Sequence, residues 1–148
     1  MKPDNAAAQF DSDASSTRRF FTVESANRSL VLVRKVVADF VAGYKHLMEL
    51  RRRQERVVVG QQGERLAAER AEIEQVAERL RALNDELADV GCELKDAAVG
   101  LVDFPAMREG RRVCLCWKLD EPSITHWHEE SAGYAGRQPI DDGFEAGR

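Results

Sequence analysis

The chain has 148 residues, 43% of them hydrophobic and 32% charged, with a net charge of −4. This is enough for one helix-rich domain with its own core and too little for two. No membrane span is expected, because the apolar run Leu30–Val33 is broken at once by Arg34 and Lys35, and the polar Met1–Thr17 stretch lacks the apolar centre of a secretory leader. Three cysteines, Cys92, Cys114 and Cys116, are too few and too odd for a disulfide framework, so reduced thiols and a cytoplasmic setting are expected.

Residues 1–19 are rich in Asp, Asn, Ser and Ala and cannot bury enough surface to order themselves; disorder is expected there. Thr22 is a good N-cap, weakened by Ser25 where a capping box favours Glu or Gln. A helix over 22–59 follows. Ala26, Leu30, Val33, Val37, Phe40, Tyr44 and Leu47 form one stripe at alternating three and four spacing. Val31, Val36 and Val41 widen that stripe in the first half only, which predicts two neighbours there and one beyond. Gly60-Gln61-Gln62-Gly63 breaks the helix.

A second helix is predicted over 64–90, its stripe made of Leu66, Ile73, Val76, Leu80, Leu83, Leu87 and Val90. Arg18–Gly60 has ten basic and four acidic residues (+6), whereas Gln61–Asp96 has five and ten (−5). Opposite charge, matched lengths of about 45–55 Å and a short connection predict an antiparallel, coiled-coil-like hairpin.

Gly91 suits a left-handed helix end, and after it the period changes to two. Cys92 and Leu94, Val102 and Phe104, Val113, Leu115 and Trp117, then Thr125 and Trp127 alternate with polar residues. With turns at 97–100, 107–110 and 120–122, they predict three or four antiparallel strands of about five residues in a β-rich module over 92–140. The returning helix carries this meander to the start of the first helix, giving an α+β fold in a single domain over 20–140. Residues 141–148 are expected to be a flexible acidic tail.

Phe21-Thr22-Val23-Glu24, Ala26-Asn27, Leu94-Lys95-Asp96, Gly100-Leu101-Val102-Asp103-Phe104-Pro105, Leu115-Cys116-Trp117-Lys118-Leu119, Trp127-His128 and Gly136-Arg137-Gln138-Pro139-Ile140 together resemble a family of uncharacterised bacterial proteins, domain of unknown function 2203. The resemblance runs from about residue 20 to 140; it is specific in the C-terminal half and generic along the helices. Ser25 and Asp120 depart from the family pattern, which has Glu and Gly there. The resemblance implies an architecture and a polar region around these motifs, and it implies no activity.

Strand parity sets the chemistry. If Val102, Phe104, Val113, Leu115, Trp117 and Trp127 face the core, then Asp103, Cys114, Cys116, His126 and His128 share the other face. A three-residue loop at Asp120-Glu121-Pro122 would set Cys116 opposite His126 and Cys114 near His128. Cys114, Cys116, His126 and His128 are therefore a candidate zinc set, although neighbours two apart on one strand lie about 6.5–7 Å from each other, an awkward span for one ion. The alternative is small semi-apolar packing. Lys95, Asp96, Asp103, His128 and Arg137 form a second candidate, the lining of a pocket for a small anionic ligand, against the plainer reading of an Asp103–Arg137 structural ion pair. Gly133–Arg137 could bring backbone amides to that anion.

Nucleophile-elbow, phosphate-loop, dinucleotide and zinc-protease motifs are absent from the sequence. Arg51-Arg52-Arg53 with Arg56 reads as a solvated helix face rather than a nucleic-acid site. Trp117 and Trp127 read as core. The function expected is that of a binding or scaffold protein with a recognition site on the β-module and a homodimer through the hairpin. The alternative is a small hydrolase or metal-assisted enzyme using Asp103 and His128.

Overall fold

The structure is a computed structural model that describes residues 20–56 and 63–144. The stretch expected to be disordered (1–19), the last residues expected of the first helix (57–59), the predicted break at 60–63 apart from Gly63, and the last four residues lie outside the described residues. Two helices, α1 (Val23–Glu55) and α2 (Gly63–Val90), are followed by β1 (Glu93–Asp96), β2 (Leu101–Arg108), β3 (Arg111–Lys118), β4 (His126–Glu129) and β5 (Gln138–Pro139). The helices pack on each other, and the strands form one antiparallel sheet in the order β1-β2-β3-β4-β5.

Thr22 caps α1 as expected, but Ser25 completes the cap instead of weakening it. The Ser25 N–H donates to Thr22 Oγ1 at 3.0 Å, and the Thr22 N–H donates to Ser25 Oγ at 2.9 Å. The short hydroxyl reaches back across one turn as Glu would. α1 is described to Glu55, where the Arg56 N–H bonds to the carbonyls of Arg53 and Gln54 and tightens the turn; the expected end near Val59 lies outside the described residues. Gly91 closes α2 at φ 107°. The helices approach closely where Gly43 faces Leu80: a Cβ on Gly43 would lie 2.9 Å from Leu80 Cδ2.

Ala26, Leu30, Val33, Val36 and Val37 of α1 and Leu80, Leu83 and Leu87 of α2 join the sheet residues Val102, Phe104, Ala106, Val113, Leu115, Trp117 and Trp127 in one buried cluster. Val31 does not widen the stripe; it is 85% exposed. Phe21 pins the helix start to the sheet. Its N–H donates to the Pro105 carbonyl at 2.8 Å, and its ring meets Phe104 edge-on at 5.2 Å.

The sheet has five strands, one more than the upper expectation. Met107 and Arg108, predicted as turn, extend β2 and pair with Arg112 and Arg111. Only Glu109 and Gly110 remain between β2 and β3, both at positive φ (51° and 78°), the geometry of a type I′ turn. The β3–β4 connection is longer than the three residues expected: Leu119 to Thr125 all lie outside the strands. Residues 141–144 are docked, not loose. The Arg108 guanidinium bonds Asp141 at 2.7 Å and stacks 4.5 Å from the centre of Trp127, while Phe144 bridges Arg108 and meets Trp127 edge-on.

Candidate functional site

The register decides which groups meet. Asp103 pairs with Cys116 and Cys116 with His126, forming one cross-strand row; Pro105, Cys114 and His128 form the next. The longer loop keeps the odd parity, because Cys116 still opposes His126 and Cys114 opposes His128. Pleat alternation then puts all five polar side chains on the face away from Phe104, Leu115 and Trp127.

Within this face Asp103 and His128 meet diagonally across β3. His128 Nε2 lies 3.0 Å from Asp103 Oδ1, and Nδ1 lies 2.7 Å from the Glu129 carbonyl. Both residues are buried, at 2% and 6% exposure. Each ring nitrogen therefore faces an oxygen. The carbonyl can only accept, so Nδ1 carries a proton, and a second proton lies between Nε2 and Oδ1. The pair is neutral overall whichever side holds that proton. A buried pair of this kind costs desolvation free energy that its contact must offset, which sets it apart from simple core filling.

Cys114 sits beside them, and one donor atom each from Asp103, Cys114 and His128 lie within 4.8 Å of one another. Burial, and then the Asp103 and Glu130 carboxylates, push the Cys114 thiol up to about 12. Burial pushes Cys116 up to about 11 against the opposing pull of Arg137, and Cys92 up to about 12. None of these thiols is an activated nucleophile at neutral pH. His128 has no free lone pair to act as a base until one of its hydrogen bonds is broken.

The other predicted residues are dispersed. Cys116 and His126 share the face with Cys114 and His128 but lie outside the three-donor group; His126 Nδ1 bonds to Thr125 Oγ1 at 2.9 Å. Lys95 is exposed and pairs loosely with Glu93 at 3.7 Å, although its charge reaches Cys114. Asp96 accepts the Ala98 N–H at 2.9 Å and so shapes the β1–β2 turn. Arg137 does not pair with Asp103. It makes a forked bond to Glu121 at 2.8 and 3.0 Å, reaches the Cys116 carbonyl, and lies over Tyr134. Near the hairpin tip, Arg52 and Arg53 pair with Glu49 on their own helix.

Sequence reasoning missed how the β3–β4 loop is held. Asn27 Oδ1 accepts the Ile124 N–H at 2.8 Å, and Arg34 donates to the carbonyls of Glu121 and Pro122. Asn27 and Arg34 are two turns apart on one helix face, a spacing legible in the sequence, but nothing there named their target. The Trp117 indole N–H also donates to the Glu121 carbonyl at 2.9 Å.

A family model described as "Uncharacterized conserved protein (DUF2203)" matches residues 19–140. The chain belongs to this family. The match spans α1, α2 and the whole sheet, so the three-donor cluster and the braced loop both lie inside the family's domain. The comparisons with curated proteins and with solved structures find no match. Among the described residues, no helix is long and apolar enough to cross a membrane.

Proposed function

We propose that this member of the family is a binding protein whose recognition site is the polar face of the sheet around Asp103, Cys114 and His128. The observation that carries the reading is the buried Asp103–His128 pair beside a half-buried thiol, on the sheet face opposite Phe104, Leu115 and Trp127. Groups arranged for catalysis would leave a ring lone pair or a thiolate free, and here both are occupied or protonated. The hydrolase alternative needs an added ion to supply the missing nucleophile, and a metal-dependent hydrolysis screen tests it.

Thermal shift of the full chain against a panel of metabolites and metal ions tests the binding reading, with the buried tryptophans as reporters. A stabilising ligand whose effect is lost in Asp103→Asn is the expected result. Ligand responses that survive both Asp103→Asn and Cys114→Ala, or no response to the whole panel, would overturn it.

The hairpin extends the proposal to self-association in a cytoplasmic setting. Leu66, Ile73 and Val76 of the α2 stripe remain only partly covered, and a second copy would cover them in a four-helix arrangement. Sedimentation velocity showing a monomer at high concentration would refute that extension.

A further inference from the structure

We propose that Asp103, Cys114 and His128 form a three-donor site for a divalent transition-metal ion of the zinc type. This rests on the reading of the polar face as a binding site and names its ligand class. The donors are one carboxylate oxygen, one sulfur and one imidazole nitrogen, from three adjacent strands, within 4.8 Å of one another. Zinc bonds of about 2.0–2.3 Å in a tetrahedron put neighbouring donors roughly 3.3–3.7 Å apart. The Asp103–His128 separation of 3.0 Å needs to open only slightly to admit an ion. Taking donors from different strands also removes the spacing problem of two ligands on alternate residues of one strand.

The surroundings match the demands of such an ion. The Nδ1 proton of His128 is held by the Glu129 carbonyl at 2.7 Å, which fixes the ring so that Nε2 is the donor available to a metal. Metal-bound histidines are oriented by the same type of contact. Charge balances as well: a dication with one carboxylate, one thiolate and one neutral imidazole sums to zero, as the metal-free cluster does. Two protons leave on binding, one shared by His128 and Asp103 and one from the Cys114 thiol. Cys114 is the least buried of the three, and the charges of Lys95 and Glu130 reach its thiol. Cys116 and His126 take no part.

The test is titration of the chelator-treated full chain with zinc by calorimetry, and with cobalt by absorption. The expected result is one ion per chain and a thiolate-to-cobalt charge-transfer band. Cys114→Ala should abolish the band, Cys114→Ala and Asp103→Asn should each weaken zinc binding by about tenfold or more, and Cys116→Ala should change neither. Should Cys114→Ala fail to fold, as judged by circular dichroism, Cys114→Ser replaces it. Failure to bind either ion, or binding indifferent to Cys114 and Asp103, would overturn the proposal. If no metal binds but another ligand still gives a thermal shift that depends on Asp103, the metal is wrong and the binding face stands; if neither is seen, both fall.

Discussion

Replacing Asp103 by alanine tests the buried pair directly. Among the described residues the carboxylate is His128's only partner at Nε2, across 3.0 Å, and the ring is 2% exposed, so bulk water does not reach the lost contact. An orphaned buried polar group costs about 1–3 kcal/mol, and breaking a buried ion pair about 3–5 kcal/mol. Asp103→Ala should therefore destabilise the protein by about 3 kcal/mol. For a chain of this length that lowers Tm by about 9 °C, at about 3 °C per kcal/mol. Asp103→Asn should cost only about 1 kcal/mol, since its amide can donate to Nε2 while Nδ1 keeps its bond to Glu129. Urea unfolding of Asp103→Ala, His128→Ala and the double variant gives the coupling energy, expected near 2 kcal/mol. Equal costs for Asp103→Ala and Asp103→Asn, both below about 1 kcal/mol, would mean that the pair is not formed and would remove the basis of the site.

Gly100→Ala should cost about 3 kcal/mol in urea unfolding, because Gly100 sits at φ 73° and its Cβ would lie 2.9 Å from both Leu119 Cβ and Val37 Cγ1. The forked bond from Arg137 holds the Glu121 carboxyl below its ordinary value of 4.5. The folded chain thus keeps this carboxylate ionised to lower pH than the unfolded chain does, so its contribution is full above pH 4.5 and is lost as pH falls below it. Glu121→Gln should flatten that acid limb of the stability profile, and an unchanged limb would refute the assignment. Glu109→Asn should stabilise by about 0.5 kcal/mol, since asparagine tolerates the positive φ that glutamate holds at 51° in the β2–β3 turn; a lower Tm would count against the turn type.

The two helices were legible because their stripes repeat over many turns and average out local irregularities. Caps were less so: Ser25 completes the α1 cap because its hydroxyl reaches back to the Thr22 N–H, which no periodicity records. The alternation of Val113, Leu115 and Trp117 identified the buried face, and with it the polar face. It could not show that Arg137 would choose Glu121 over Asp103, because both are acidic residues in turn or strand context and only the path of the chain after β4 separates them. Phe144 and Asp141 were read as tail for the same reason. Their place under Arg108 and against Trp127 comes from a long-range return of the chain, without local pattern.

By itself the sequence determined the hairpin, the antiparallel module after it, and the residue types available on each strand face, since helical and strand periods are local and cumulative. Tertiary structure alone decided which polar groups touch. The diagonal meeting of Asp103 and His128 over Cys114 depends on the register of three consecutive strands, which the turn geometry and the β3–β4 loop fix only in the folded sheet. A one-residue slip in any of them would leave the same composition and no cluster.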